Sequence, residues 1–78
     1  MRQKPLKVER VKISSLELDP NNARRHSDQS ITAIAASLLR FGQQKPIVAT
    51  NDGVIIAGNG VFLAAQSLNW THIAVVRT

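Results

Sequence analysis

Seventy-eight residues, 44% of them hydrophobic and 19% charged, suit one small globular domain with a thin core and exclude a disordered chain. With no cysteine there is no disulfide framework, no Cys-ligated zinc site and no thiol chemistry, and with only Phe41, Phe62 and Trp70 as aromatics a platform that stacks successive bases is poorly supplied. A net charge of +5 points to an anionic partner, whether nucleic acid, a nucleotide or an acidic surface.

Residues 1–6 are polar and basic and read as a flexible tail. Residues 7–13 place Val8, Val11 and Ile13 between charged residues, a rough strand pattern, and residues 19–22 (Asp-Pro-Asn-Asn) form a dense turn cluster. Ser27 is a good N-cap and Asp28 complements the positive end of a helix dipole. Ile31, Ile34, Ala35 and Leu38 then recur at i, i+3, i+4 and i+7, the apolar stripe of an amphipathic helix over 28–41, with Phe41 extending the stripe. Gly42 falls where a left-handed residue ends a helix, and Arg40 sits in the last turn.

Residues 46–49 and 54–57 are short apolar runs joined by Thr50, Asn51, Asp52 and Gly53, a hairpin signal. Gly58, Asn59 and Gly60 break the second run. Val61, Ala64, Ala65 and Leu68 repeat the helical spacing over 60–69, with Asn69 suited to end it. Trp70, Thr71 and His72 read as a turn, and residues 73–76 as a last strand. The order predicts a mixed α+β fold of about four short strands and two main helices, as a single domain over 7–78.

Nine of the ten basic residues lie in positions 1–45, and only Arg77 follows them. No apolar run approaches the roughly 20 residues that span a bilayer. The basic N-terminus is followed by no apolar core of a signal peptide, so no membrane partner and a cytoplasmic or nucleoid location are expected.

Three segments are candidates for chemistry. Gly58, Asn59 and Gly60 lie between a strand and a helix, where unpaired N–H groups and the dipole favour a phosphate and glycine permits its close approach. The same glycines also suit a tight corner with no ligand. Asn22, Arg24, Arg25 and His26 make a positive, hydrogen-bonding loop before the first helix, and the planar guanidinium suits phosphate oxygens. Gly42, Gln43, Gln44, Lys45 and Pro46 link that helix to the next strand and fit either a ligand wall or a plain connection. No pair of carboxylates is placed for acid–base or two-metal chemistry, no serine elbow occurs, and His26 and His72 have no metal-ligand spacing. No catalytic residue and no metal site is therefore assigned.

In this order and spacing, the residues Asn22, Arg24 and His26, the helix with its Gly42, Pro46, Ile47 and Val48, and residues 55–60 resemble the N-terminal domain of the ParB/sulfiredoxin superfamily. The resemblance covers about residues 8–77 and is strongest to members found ahead of DNA methyltransferase domains in phage and bacterial genomes. It implies a nucleotide- or phosphate-binding pocket at residues 58–61, lined by the 22–26 loop and faced by residues 42–46, with CTP or ATP and Mg²⁺ as ligand. Two departures stand out. Sulfiredoxins carry a cysteine where this chain has Asn59, which speaks against a sulfinic acid reductase. Partition proteins place an arginine-rich box at the positions of Asn59, Gly60, Val61 and Leu63, and the methyltransferase-associated members keep an arginine at that of Val61.

The expected function is therefore a ParB-like domain, non-catalytic alone, that binds nucleic acid or nucleotide phosphates in a DNA-acting system. Arg2, Lys4, Lys7, Arg10 and Lys12 are its expected nucleic-acid surface. Sequence-specific reading is not expected, because helix 28–41 has Arg40 as its one base and helix 60–69 has no charge. Two alternatives remain: a ParB-like nuclease or CTP/ATP-dependent enzyme, and a module that self-associates, as a homodimer, through Val61, Phe62, Leu63, Leu68 and Trp70.

Overall fold

The structure is a computed structural model in which residues 7–20 and 27–78 are described; the basic tail and the 22–26 loop lie outside them. The chain runs β1 (Val8–Lys12), a 3-10 turn (Ile13–Ser15), β2 (Glu17–Leu18), α1 (Asp28–Phe41), β3 (Ile47–Ala49), β4 (Val54–Ala57), α2 (Asn59–Ser67) and β5 (His72–Arg77). This is the expected α+β alternation, with a two-residue strand added. The strands form one mixed sheet in the order β1-β5-β3-β4-β2.

Register decides which side chains meet. In the antiparallel β1–β5 pair Glu9 opposes Val75 and Val11 opposes Ile73, while Arg10 opposes Ala74 and Lys12 opposes His72. Side chains alternate between sheet faces with period two. One face therefore carries Ile73 and Val75, joined by Ile47 across the parallel β3–β5 pair, and these three are buried with Ile55 at 2% exposure or less. The helices close this face. Phe62, Ala64 and Ala65 of α2 are buried, and α1 packs on α2 through Ala35 and Leu38. The alanines let backbones approach closely while still excluding water.

α1 has the expected bounds and the expected cap: the Ser27 hydroxyl accepts the Ser30 N–H at 3.1 Å. Ser27→Ala should cost about 1 kcal/mol, read as a lower urea midpoint at unchanged slope. Phe41 does not join the core. It is 59% exposed, with the Arg40 guanidinium 5.0 Å above its ring, because the helix runs on past the elements it packs against. α2 begins one residue earlier than its apolar pattern, since Gly58 already has the turning conformation. Phe62 is buried, and Val61, Leu63, Leu68 and Trp70 pack half-buried against the core, because α2 has α1 on one side and β3 on another. The hairpin forms as expected, with Gly53 at φ +93° and its N–H bonded to the Thr50 carbonyl. Pro46 precedes β3 and does not belong to it.

β2 adds an edge. Leu16 is buried, the Glu17 N–H donates to the Gly53 carbonyl at 2.9 Å, and Glu17–Leu18 run parallel to Val54 and Ile55. Among the described residues no helix is long and apolar enough to cross a membrane.

Candidate phosphate-binding site

The first turn of α2 is shaped by Gly58. Its φ of +98° and ψ of +25° are left-handed, a region open to glycine at little cost. A side chain there is also sterically refused, since a Cβ would lie 2.9 Å from the Ile47 Cβ and closer still to its Cγ2 methyl. The corner therefore demands glycine with or without a ligand. As the N-cap, Gly58 contributes no side chain to the first N–H groups of the helix. Those groups, at the positive end of the helix dipole, are available to an anion. Asn59 follows, and its Oδ1 is buried without a hydrogen-bond partner among the described residues, an acceptor that calls for a donor.

Beside this turn lies a concavity of about 170 Å³, lined by Ile34, Ser37 and Leu38 of α1, by Gly42, Gln43, Gln44 and Lys45, and by Val61 of the first turn of α2. The structure thus brings the predicted 42–45 link and Val61 together. Among the described residues Lys45 is the one charged group in this lining, and no carboxylate accompanies it. Pro46, Gly58, Asn59 and Gly60 adjoin the lining without forming part of it.

Gly42 ends α1 at φ +74°, but with ψ −175°. This is an extended positive-φ conformation in place of the expected left-handed helical one, and only glycine populates it freely. Its N–H still closes the last turn on the Leu38 carbonyl at 2.8 Å. The extended exit carries Gln43 onto β5. The Gln43 amide accepts the Ala74 N–H at 2.8 Å and donates to the Ala74 carbonyl at 2.9 Å and the Lys45 carbonyl at 3.0 Å. Ala74 lies just before the point where β3 begins to pair with β5, so the side chain continues the ladder that β3 has not yet started. Gln43 is therefore a wall of the site, its amide committed to backbone, while Gln44 and Lys45 are exposed.

Of the expected basic surface, Lys7, Arg10 and Lys12 are described and exposed, and none of them forms an ion pair with another described residue. The ion pair among the described residues joins Arg77 to Glu9 at 3.2 Å, and the same guanidinium donates to the Thr50 carbonyl at 2.9 Å. It ties the end of β5 to β1 and to the hairpin. The sequence places Trp70 and His72 in a turn, with Trp70 also on a self-association surface, and assigns neither to nucleic-acid binding. Both line open depressions beside β1. The signal was present in the alternation of β1, which sends Arg10 and Lys12 to one face. Which turn residues they would meet depends on the β1–β5 pairing, which spans the whole chain.

No protein-family model matches the chain. Over 62 residues it is 36% identical to the ParB-like nuclease domain-containing protein YnaK of Escherichia coli (strain K12), covering 77% of this chain and 71% of that protein. Its fold is similar to the C-terminally truncated chromosome-partitioning protein ParB of Caulobacter crescentus complexed with CTP-γ-S, at a TM-score of 0.85 and 19% identity over 92% of this chain and 44% of that one. A Pnob8-like ParB-N domain gives a TM-score of 0.78 and 22% identity over 99% of this chain and 31% of that one. Sulfiredoxin from Arabidopsis thaliana gives 0.81 and 15% over 92% of this chain and 84% of that one. The chain thus spans less than half the length of the two ParB structures.

Proposed function

The chain belongs to the ParB-like family of the ParB/sulfiredoxin superfamily, and from that premise we propose that it binds the phosphates of a nucleotide or nucleic acid, non-catalytically by itself, within a DNA-acting system. One observation carries the reading. The 42–45 link and Val61 of the first turn of α2 meet in one concavity whose only charge among the described residues is the Lys45 ammonium. A phosphoryl group entering there meets the Lys45 charge and the Val61 backbone in the first turn of α2, toward the positive end of that helix's dipole. Its volume of about 170 Å³ suits a phosphoryl group, whereas whole small-molecule pockets run to roughly 300–1,000 Å³, so the rest of a nucleotide extends beyond this wall. The CTP-γ-S bound to C. crescentus ParB supports a nucleoside triphosphate as that ligand. With CTP or ATP, bound Mg²⁺ would neutralise phosphate charge. A cytoplasmic or nucleoid location goes with this role.

An NMR titration with CTP, ATP and short duplex DNA tests the proposal. Shifts centred on residues 42–46 and 58–61 are expected; their absence with all three ligands would sink it. Turnover of CTP, ATP or plasmid DNA with Mg²⁺ or Mn²⁺ would replace it with an enzymatic reading. Val61 lines the concavity where the family resemblance places a cation. Val61→Arg should therefore add a charge-assisted contact and tighten triphosphate binding about 10- to 150-fold. Unchanged affinity for CTP and ATP would show that the phosphates lie elsewhere.

A further inference from the structure

We infer that the turn at residues 70–72 and the outer side of β1 form a second site, one that takes single-stranded nucleic acid, with a base against Trp70 and adjacent phosphates on Arg10 and Lys12. The inference rests on the reading of the domain as a binder of nucleic-acid phosphates, and it adds a place and a strand state.

Arg10 opposes Ala74 and Lys12 opposes His72, so both cations stand on the sheet face turned away from buried Ile73 and Val75. At about 3.4 Å per strand residue they are separated by about 7 Å, comparable with one nucleotide step of an extended single strand. Neither has a carboxylate partner among the described residues. Each contributes to a depression. One, of about 560 Å³, holds Arg10 and Ala74; the other, of about 620 Å³, holds Lys12 and Gln66. The two share Trp70, Thr71 and His72 and so abut along those residues, and among the described residues neither contains an acidic one.

Trp70 is held from both sides. Asn69 turns the chain at φ +59°, the Trp70 N–H donates to the Ala65 carbonyl at 3.0 Å, and the Thr71 carbonyl accepts the Ile13 N–H at 2.9 Å. Trp70 is half-buried against the core and lines both depressions, so its backbone is held and its ring packed before any ligand arrives. An aromatic with flanking cations is the chemistry of single-strand recognition: the ring accepts any base face, and Arg and Lys take the backbone. A duplex keeps its base faces inside the stack and could meet only the cations. A single aromatic means one stacked base, hence little sequence preference.

Trp70 is the only tryptophan, so its emission reports directly on the site. Titrating the full chain with an end-labelled oligothymidylate of about 10 nucleotides should quench Trp emission in step with the anisotropy of the label. Trp70→Leu, which keeps apolar packing, should weaken binding about 5- to 150-fold, the range for loss of one base–aromatic stack. Replacing Arg10 and Lys12 together by glutamine touches exposed positions only and should reduce the slope of log K against log salt by about 1.4, two single-strand phosphates' worth. Oligonucleotide binding with unchanged emission, or with an unchanged salt slope in the double variant, overturns this site and leaves the proposed phosphate binding standing. So does a protein that binds CTP at residues 42–46 and 58–61 but no oligonucleotide. Quenching by free CTP as strong as by the oligonucleotide also overturns the strand assignment. Failure to bind CTP, ATP, duplex and single strand alike removes both readings.

Discussion

Replacing Gly58 by alanine should destabilise the domain by about 2–5 kcal/mol, the sum of about 1–2 for an L-residue held left-handed and about 1–3 for overpacking against Ile47. A chain of 78 residues has in all about 4–12 kcal/mol of stability, so the variant should lose more than about 10 °C in Tm, or fail to fold at 37 °C. The steric share is separable. Ile47→Ala removes the methyl that the new Cβ would strike, at its own cavity cost of about 2–5 kcal/mol. In a double-mutant cycle the pair should therefore be less destabilised than the sum of the single changes by part of that steric share, about 1 kcal/mol, because alanine keeps the Cβ that lies 2.9 Å away. Strict additivity, by urea unfolding at constant slope, would mean that the Gly58–Ile47 approach is not what excludes a side chain.

This prediction separates two meanings of the Gly-Asn-Gly segment that the sequence leaves together. Spacing alone is equally consistent with a phosphate-binding turn and with a bare corner. The left-handed φ and the contact with Ile47 make Gly58 a structural requirement in either case, so its presence cannot by itself argue for a ligand. What argues for one is the arrangement around it: the α2 start with no side chain at its N-cap, the orphaned Asn59 Oδ1, and the Lys45-bearing concavity.

Elements whose information is local were legible. α1 announces itself through Ser27, the 31–34–35–38 stripe and Gly42, all within one stretch of chain, and the 50–53 hairpin turn does the same. β2 was not legible, because two residues carry no periodicity. Glu17–Leu18 is a strand only because Leu16 anchors in the core and Gly53 offers a carbonyl from a hairpin 36 residues on. The exposure of Phe41 is another tertiary outcome, since its position on the stripe is correct but no described core residue covers it that far along the helix. For the candidate site, the glycine and proline that bracket the 42–46 link mark it locally, while Val61 is singled out only by the family resemblance. The commitment of Gln43 to Ala74, 31 residues away, has no signature in a polar loop. The trough at Trp70 likewise depends on β1–β5 pairing between the two ends of the chain.

Gln43→Ala should cost about 2 kcal/mol, more than a half-buried loop glutamine ordinarily does. It leaves the Ala74 N–H and carbonyl without their partner at a place where β3 has not begun to pair, and each orphaned backbone group costs about 1–3 kcal/mol, toward the lower value where water can reach it. Gln43→Glu should not rescue the loss. A carboxylate still accepts the Ala74 N–H, but it sets negative charge against the Ala74 and Lys45 carbonyls, which need donors. Hydrogen exchange provides the local readout: in Gln43→Ala the Ala74 amide should exchange faster than the neighbouring Val75 and Val76 amides, although all three belong to one strand. Because Gln43 lines both the 170 Å³ concavity and the 560 Å³ depression, its loss should weaken triphosphate and oligonucleotide binding together. Val61→Arg should act on the first ligand alone, and the Arg10 and Lys12 changes on the second. An Ala74 amide that stays protected in Gln43→Ala would show that the side chain is not what closes the ladder there, and the linked loss of both ligands would then have no physical basis.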